Sequence, residues 1–374
     1  MPVNPETLAA LQDKYLVLHE FVKAAKNRLD ANLWDYLVGA TETETTMRRN
    51  RMGLDALALR PRVLRDVSEI DTSSTLFGKA VRLPVLLAPV GGLEFMAVGA
   101  NGAVTAGEGA SGFGVPIMLS SVSKPGLEEV AAATPGMKIY QLYVRGDAAF
   151  IEDSIRRARG NGYDAFCLTV DTAIYSRRER DIARRFAKPW RASATGEAQR
   201  YQAALNWDDV KRIKDAHPDF PLILKGIGTG EDAVIACEHG VEVVYVSNHG
   251  GRQLDAGRGS IEVLPEVVQA VAGRARVWVD GGFSRGTDIV KALCLGAECV
   301  GLGRLYCYAL AADGAAGVVR MLEILENEFR SALGLLGVTS VGELGPGYVA
   351  PAMPTNLPHV HSAFPLLRLD DSGY

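Results

Sequence analysis

The stretch SNHGGRQLD, residues 247–255, follows directly on the apolar run VEVVYV (241–246). An imidazole, His249, and a guanidinium, Arg252, therefore stand just past the end of an apolar strand, on a loop whose two glycines leave them room. A base that titrates near neutrality beside an anion clamp suits proton abstraction from a small anionic substrate. The plain alternative is a strand end capped by polar residues. Other apolar runs end in the same manner, in Ser120 and Ser121, in Gln141 and Tyr143, in Thr169 and Asp171, in Lys225, in Ser247 and in Asp280. Any one of these is an ordinary polar strand end; so many together point to a shared site. Arg178 and Arg252 follow on loops, and two guanidiniums facing one cavity are costly unless an anion binds there. A carboxylate suits them.

Two later segments are rich in glycine. VDGGFSRGTD (279–288) carries Gly281, Gly282 and Arg285, and VGLGR (300–304) carries Gly303 and Arg304. Glycines let backbone N–H groups approach an anion closely, and the arginines add charge. A phosphate site beside a polar mouth implies a phosphorylated cofactor or substrate. Lys225 can stabilise negative charge on a flat ring, and Ser120, Gln141 and Thr169 can hydrogen-bond its edge; Ser247 and Asp280 are grouped with them. Flavin mononucleotide fits this pattern.

The elements that must position these groups form a repeat. Short apolar runs occur at 81–89, 115–121, 137–144, 165–171, 221–226, 241–247, 276–282 and 298–304. Each is too short for a helix and is rich in apolar and β-branched residues. Helical stretches between them, at 148–162, 230–240 and 286–297, finish on Gly or Gly-Ala, as helix C-terminal caps do. Near-continuously apolar strands alternating with helices predict an α/β protein with a parallel sheet covered on its outer face. An open doubly wound sheet would need G-x-G-x-x-G after its first strand, and APVGGLEF (88–95) does not supply it. A closed (β/α)8 TIM barrel is expected, with strand C-termini converging on one mouth. Around it the chain divides into an N-terminal helical cap (1–60), an active-site loop insert after the fourth strand (172–207) and a Pro-rich tail (345–374), all in a single domain. The insert reads as a lid or, in the plainer alternative, a solvated surface excursion; the tail, which cannot be regular throughout, as disordered or lying on a neighbouring subunit.

With 374 residues, 48% of them hydrophobic, the chain can bury a large core, and its formal net charge of −4 argues against nucleic acid or an anionic membrane as partner. No uncharged apolar run approaches the ~20 residues that span a bilayer, and the polar N-terminus does not resemble a signal peptide. The five cysteines sit in apolar segments without CxxC spacing, as expected for a reducing cytoplasm. PHVH (358–361) has H-x-H spacing but no acidic or cysteine partners nearby, and reads as tail; no metal is expected.

SNHGGRQLD closely resembles the signature of the FMN-dependent 2-hydroxy-acid oxidases and dehydrogenases, a family that includes glycolate oxidase, lactate oxidase, mandelate dehydrogenase and the flavin domain of flavocytochrome b2. LWDYLVGA (33–40), LLAP (86–89), MLSS (118–121), QLY (141–143), LTVDT (168–172), RRERD (177–181), LKG (224–226), DGG and GLGR resemble its other landmarks, in order, over roughly residues 28–345. The resemblance implies FMN as cofactor and oxidation of an L-2-hydroxy acid to the 2-oxo acid. His249 would be the base, taking either the hydroxyl proton or the α-proton, and Asp171 would orient it. Arg178 and Arg252 would hold the substrate carboxylate with Tyr36, Tyr143 would bond the substrate oxygen, and Lys225 would sit near the pyrimidine edge of the flavin. Oxygen or a soluble carrier would accept the electrons, and the assembly would be a homotetramer. The alternatives are an FMN barrel without net oxidation, such as an isomerase, and a non-catalytic binding barrel.

The chain departs from the family in places. The motif around Tyr36 is one residue shorter than in glycolate oxidases. Ser284 stands where the family commonly has arginine, so the phosphate loses a contact or Arg285 substitutes. Val90 replaces a common threonine, and Glu108 stands where arginine is usual. Val122 follows LSS where glycolate oxidases have tryptophan. The expectation is a substrate larger than glycolate, unless Phe95, Met96 or Trp190 refills the space.

Overall fold

The structure, a computed structural model, describes residues 3–189 and 196–368. Its centre is a closed barrel of eight parallel strands: β1 (Val85–Leu87), β2 (Ile117–Ser120), β3 (Lys138–Leu142), β4 (Ala165–Thr169), β5 (Leu222–Ile227), β6 (Val243–Val246), β7 (Arg276–Asp280) and β8 (Cys299–Leu302). The strands pair in sequence order and β8 closes against β1, the (β/α)8 arrangement expected. Each runs inside the span read from the sequence, except that Ile227 extends β5 by one residue. The first span also took in Val81, which belongs instead to a hairpin of Ser74–Leu76 and Lys79–Val81. Leu76 of that hairpin joins Met118, Ile223, Tyr245, Trp278 and Cys299 in a cluster separate from the main core. Large side chains from the strands therefore fill the barrel interior, and the mouth has a solid floor.

Register places the polar termini side by side. Ser120 stands opposite Gln141, Thr169 opposite Lys225, and Asp280 opposite Gly301. Outside the strands, the barrel helices pack an apolar stripe on the sheet. Their boundaries follow local chemistry: Asp147 caps Ala148–Gly160 by accepting from Ala149 and Phe150 N–H, and Gly162 beyond its end takes φ +72°.

The N-terminal cap consists of helices Pro5–Lys14, Leu18–Arg28, Ala31–Val38 and Thr45–Asp55. Asp30 caps the third, which carries Tyr36. Arg304–Leu336 is the longest helix, interrupted by non-helical backbone at Asp313 and Gly314. Among the described residues it alone is long and apolar enough to cross a membrane, yet 78% of its most apolar window is buried in this fold, as in a core helix. The insert contains Glu179–Ala183 and Gly196–Ala204. The Pro-rich tail corrects its expectation. Val349–Pro351 pairs antiparallel with Leu57–Leu59, and Phe364 is buried, so the described tail lies on its own barrel.

Candidate active site

One cavity opens at the C-terminal ends of the strands. It is lined by Tyr36, Val122, Tyr143, Arg178, Lys225, His249, Arg252, Asp280, Gly281, Gly282, Gly303 and Arg304, all singled out in the sequence. Ser120, Gln141, Thr169 and Ser247 are buried at the strand ends and Asp171 stands behind His249.

The motif 247–255 builds the centre by local bonds. Ser247 Oγ accepts from Lys225 Nζ at 2.8 Å and from the His249 amide at 3.0 Å, and donates to Asp280 Oδ1 at 2.6 Å. His249 adopts φ +59°, a left-handed backbone uncommon for a residue with a Cβ, and Gly250 and Gly251 continue in it at +65° and +78°. Asn248 Oδ1 closes the turn on the Gly251 amide. A Cβ at Gly251 would lie 2.5 Å from Met47 N, so only glycine lets the cap helix come this close. Gln253 Nε2 donates to the Asp171 carbonyl at 2.8 Å, and Asp255 accepts from the Thr43 and Thr46 amides.

His249 Nδ1 lies 3.1 Å from Asp171 Oδ1, and its Nε2 lies 3.2 Å from the Tyr143 hydroxyl. A carboxylate only accepts, so Nδ1 carries the proton and Nε2 presents its lone pair. Burial, with Lys225 and Arg178 close by, lowers the His249 pKa below the ordinary imidazole value despite Asp171. The ring is a neutral base. Burial raises the Asp171 pKa, but His249 and Lys225 outweigh it, leaving the carboxyl below its usual range. Burial also disfavours the Lys225 ammonium, but Asp280 and Asp171 prevail and hold it charged. The Tyr143 hydroxyl is pushed far up by burial, then by Asp171 and Tyr36, and stays protonated.

The guanidiniums are poised for an anion. Arg252 Nη1 donates to the carbonyls of Tyr36 and Gly39, and its charge sits 4.6 Å from the Tyr36 ring centre. Burial and then the like charge of Arg178 lower its pKa. Arg178 lies 4.7 Å from the Tyr175 ring centre. A bound carboxylate relieves the repulsion between them. Arg304 is pushed down to about 10 by burial and by Arg252.

Arg285 is a correction. Its Nη2 pairs with Glu328 Oε1 at 2.6 Å and its Nη1 donates to the Ala363 carbonyl, and it is not among the residues lining the cavity. Ser284 lines it instead. PHVH lies on the tail, and its His359 and Val360 also line the cavity. Asn50, Arg51 and Gln202 were missed. Asn50 exchanges amide hydrogen bonds with Asn248, and Arg51 forms a buried fork with Asp288 at 2.8 Å to each oxygen. Gln202 ties the insert helix down, accepting from Val144 N at 2.7 Å and donating to the Thr169 carbonyl at 2.9 Å. Their partners lie far along the chain, and no spacing in the sequence marks them. Neither Phe95 nor Met96 lines the cavity, and Trp190 lies outside the described residues.

The donor set fits a flavin. Gln141 Nε2 bonds to Thr169 Oγ1, while its buried Oε1 has no partner among the described residues and can accept from a ring N–H. The charged Lys225 stands opposite Thr169 on the next strand.

This combination of a closed barrel, an oriented imidazole and paired arginines at its mouth defines a flavin-dependent oxidoreductase that takes carboxylate substrates. The family model for FMN-dependent dehydrogenases matches residues 25–351. The chain is 36% identical to an L-lactate oxidase of Nostoc sp., over 89% of this chain and 97% of that one. It is 38% identical to glycolate oxidase 3 of Arabidopsis thaliana, over 92% and 98%. Solved structures of mandelate oxidase superpose on it, one with bound (S)-mandelic acid at a TM-score of 0.84 and 37% identity, covering 91% of this chain and all of the other. The chain belongs to the FMN-dependent dehydrogenase family, and its cofactor is FMN.

Proposed function

We propose that the protein oxidises an L-2-hydroxy acid larger than glycolate to the 2-oxo acid. The observation that carries the reading is His249, backed by Asp171 and bonded to Tyr143, in one cavity with Arg178 and Arg252. Arg178 and Arg252 bind the carboxylate of the substrate, which turns its α-carbon and hydroxyl toward His249 Nε2 and the Tyr143 hydroxyl. His249 accepts a proton at Nε2 while Asp171 stabilises the imidazolium that forms. Tyr143, protonated, donates to the substrate oxygen. When bound, FMN supplies the two-electron acceptor. Lys225, fixed by Ser247 and Asp280, gives the cofactor side of the cavity a charge that favours an anion.

Val122 on the cavity wall supports the larger substrate, since neither Phe95 nor Met96 fills the place of a bulkier residue. Relatives named as oxidases support oxygen as the acceptor, with a soluble carrier as the other choice. The five free cysteines accord with the cytoplasm, and the family resemblance with a homotetramer. The test is anaerobic addition of glycolate, lactate, 2-hydroxyoctanoate and mandelate to the purified yellow protein. Bleaching by the larger acids at a kcat/KM at least about tenfold above glycolate is expected. No bleaching by any 2-hydroxy acid overturns the reaction, and a preference for glycolate overturns the substrate size.

A further inference from the structure

The glycine loops after β7 and β8 would hold the phosphate of FMN, yet of the two guanidiniums assigned to that end one is turned away and the other commits three of its five N–H donors to backbone. Arg285 pairs with Glu328, and Arg304 donates from Nε, Nη1 and Nη2 to the carbonyls of Leu37, Gly250 and Gly39. A dianion there calls on further donors. His359 and Val360 of the tail line the same cavity as Gly282, Ser284 and Arg304. His359 Nδ1 accepts from the His361 amide at 3.2 Å, so in the neutral ring Nε2 carries the proton and is a donor.

Three anchors hold this piece of tail. His361 Nε2 lies 3.2 Å from the Tyr308 hydroxyl, and its ring lies against Trp34 with centres 5.5 Å apart. Phe364 is buried, edge-on to His19. The Ala363 carbonyl accepts from Arg285 at 3.1 Å. Tyr308 sits one turn beyond Arg304 on the same helix, which brings the first anchor to the phosphate loop itself. Arg285, turned away from the cavity, fastens the tail instead.

We propose that residues 359–364 form a retaining strap across the phosphate end of the FMN site, with His359 donating to the anion; this rests on the FMN reading of the cavity. Cofactor exchange then requires the strap to lift, and its anchors govern FMN release.

The experiment uses the FMN-loaded full chain and the variants His359→Ala and Tyr308→Phe. FMN release is followed by the fluorescence of the freed flavin after dilution, and thermal midpoints are measured with and without FMN. Both variants are expected to release FMN at least about tenfold faster than wild type. For His359→Ala the loaded midpoint falls while the FMN-free midpoint stays at the wild-type value, because a contact to the ligand stabilises only the loaded form. Release at the wild-type rate in both variants overturns the strap, as does an equal fall of both midpoints in His359→Ala. A wild type that takes up no FMN overturns the cofactor reading along with it, and shows this before any variant is made.

Discussion

The imidazole end of the cavity and its phosphate end are built on different principles. At the imidazole end, Asp171 and His249 sit just past strand termini and Lys225 two residues inside one, and their bonds run to other strand ends. At the phosphate end, Arg51, Arg285, Arg304 and the tail choose partners from remote parts of the chain. Groups set by strand ends hold their chemistry where the barrel puts it, while groups on helices and tail act through whichever neighbour the packing offers.

Four changes test that contrast. His249→Gln removes the base and keeps the bulk. Flavin reduction by the substrate should slow by at least ~10²–10⁴-fold with FMN content near normal, and stopped-flow absorbance measures both. A variant reduced at the wild-type rate takes His249 out of the chemistry. Arg51→Leu leaves Asp288 buried without its main counter-charge, a loss of ~3–5 kcal/mol in stability. Arg285→Leu breaks a partly exposed pair and should cost about 1 kcal/mol or less. Denaturant unfolding ranks the two, and equal losses would erase the distinction between them.

A pH profile addresses the imidazole end alone. The His249 pKa is lowered, so the proton leaves below the ordinary value of 6.5 and the base form predominates at neutrality. kcat/KM should be flat around pH 7 and fall about tenfold per unit only on the acid side. An acid limb centred above pH 7 contradicts the neutral base. The smallest expected effect is on selectivity. Val122→Trp should move the kcat/KM ratio of glycolate to mandelate toward glycolate by about tenfold. An unchanged ratio places the specificity wall elsewhere.

The barrel and its strand-borne groups were legible because a strand has few options. A short apolar run between helices must lie in a parallel sheet, and a polar residue at its C-terminal end must face the mouth. His249, Asp171, Lys225 and Gln141 follow from that rule, and the family resemblance supplied their roles. Arg285 shows where the rule stops. Its position beyond DGG is correct for a phosphate loop, but one residue past Ser284 it meets Glu328, which is 43 residues away. Asn50 and Arg51 look like a solvated helix face in RRNR, since the partners that bury them, Asn248 and Asp288, cannot be seen from residues 48–51. The span 81–89 took in Val81, the last residue of the hairpin, because only Arg82 separates it from the apolar residues that lead into β1. PHVH carried no periodicity at all, and only the packing of Trp34, Tyr308 and Phe364 gives it a place.

Arg304 joins three carbonyls that lie 267, 265 and 54 residues before it. One guanidinium thus secures the helix that carries Tyr36, the left-handed loop that carries His249 and the end of the last strand. Contacts of such long range close large loops before they return any stability. During synthesis the first helices and the base loop leave the ribosome well before residue 304, so they wait without the clasp that aligns them. The clasp of the reaction centre cannot close until residue 304 has been made, and a chain cut short before β8 retains most catalytic side chains without it.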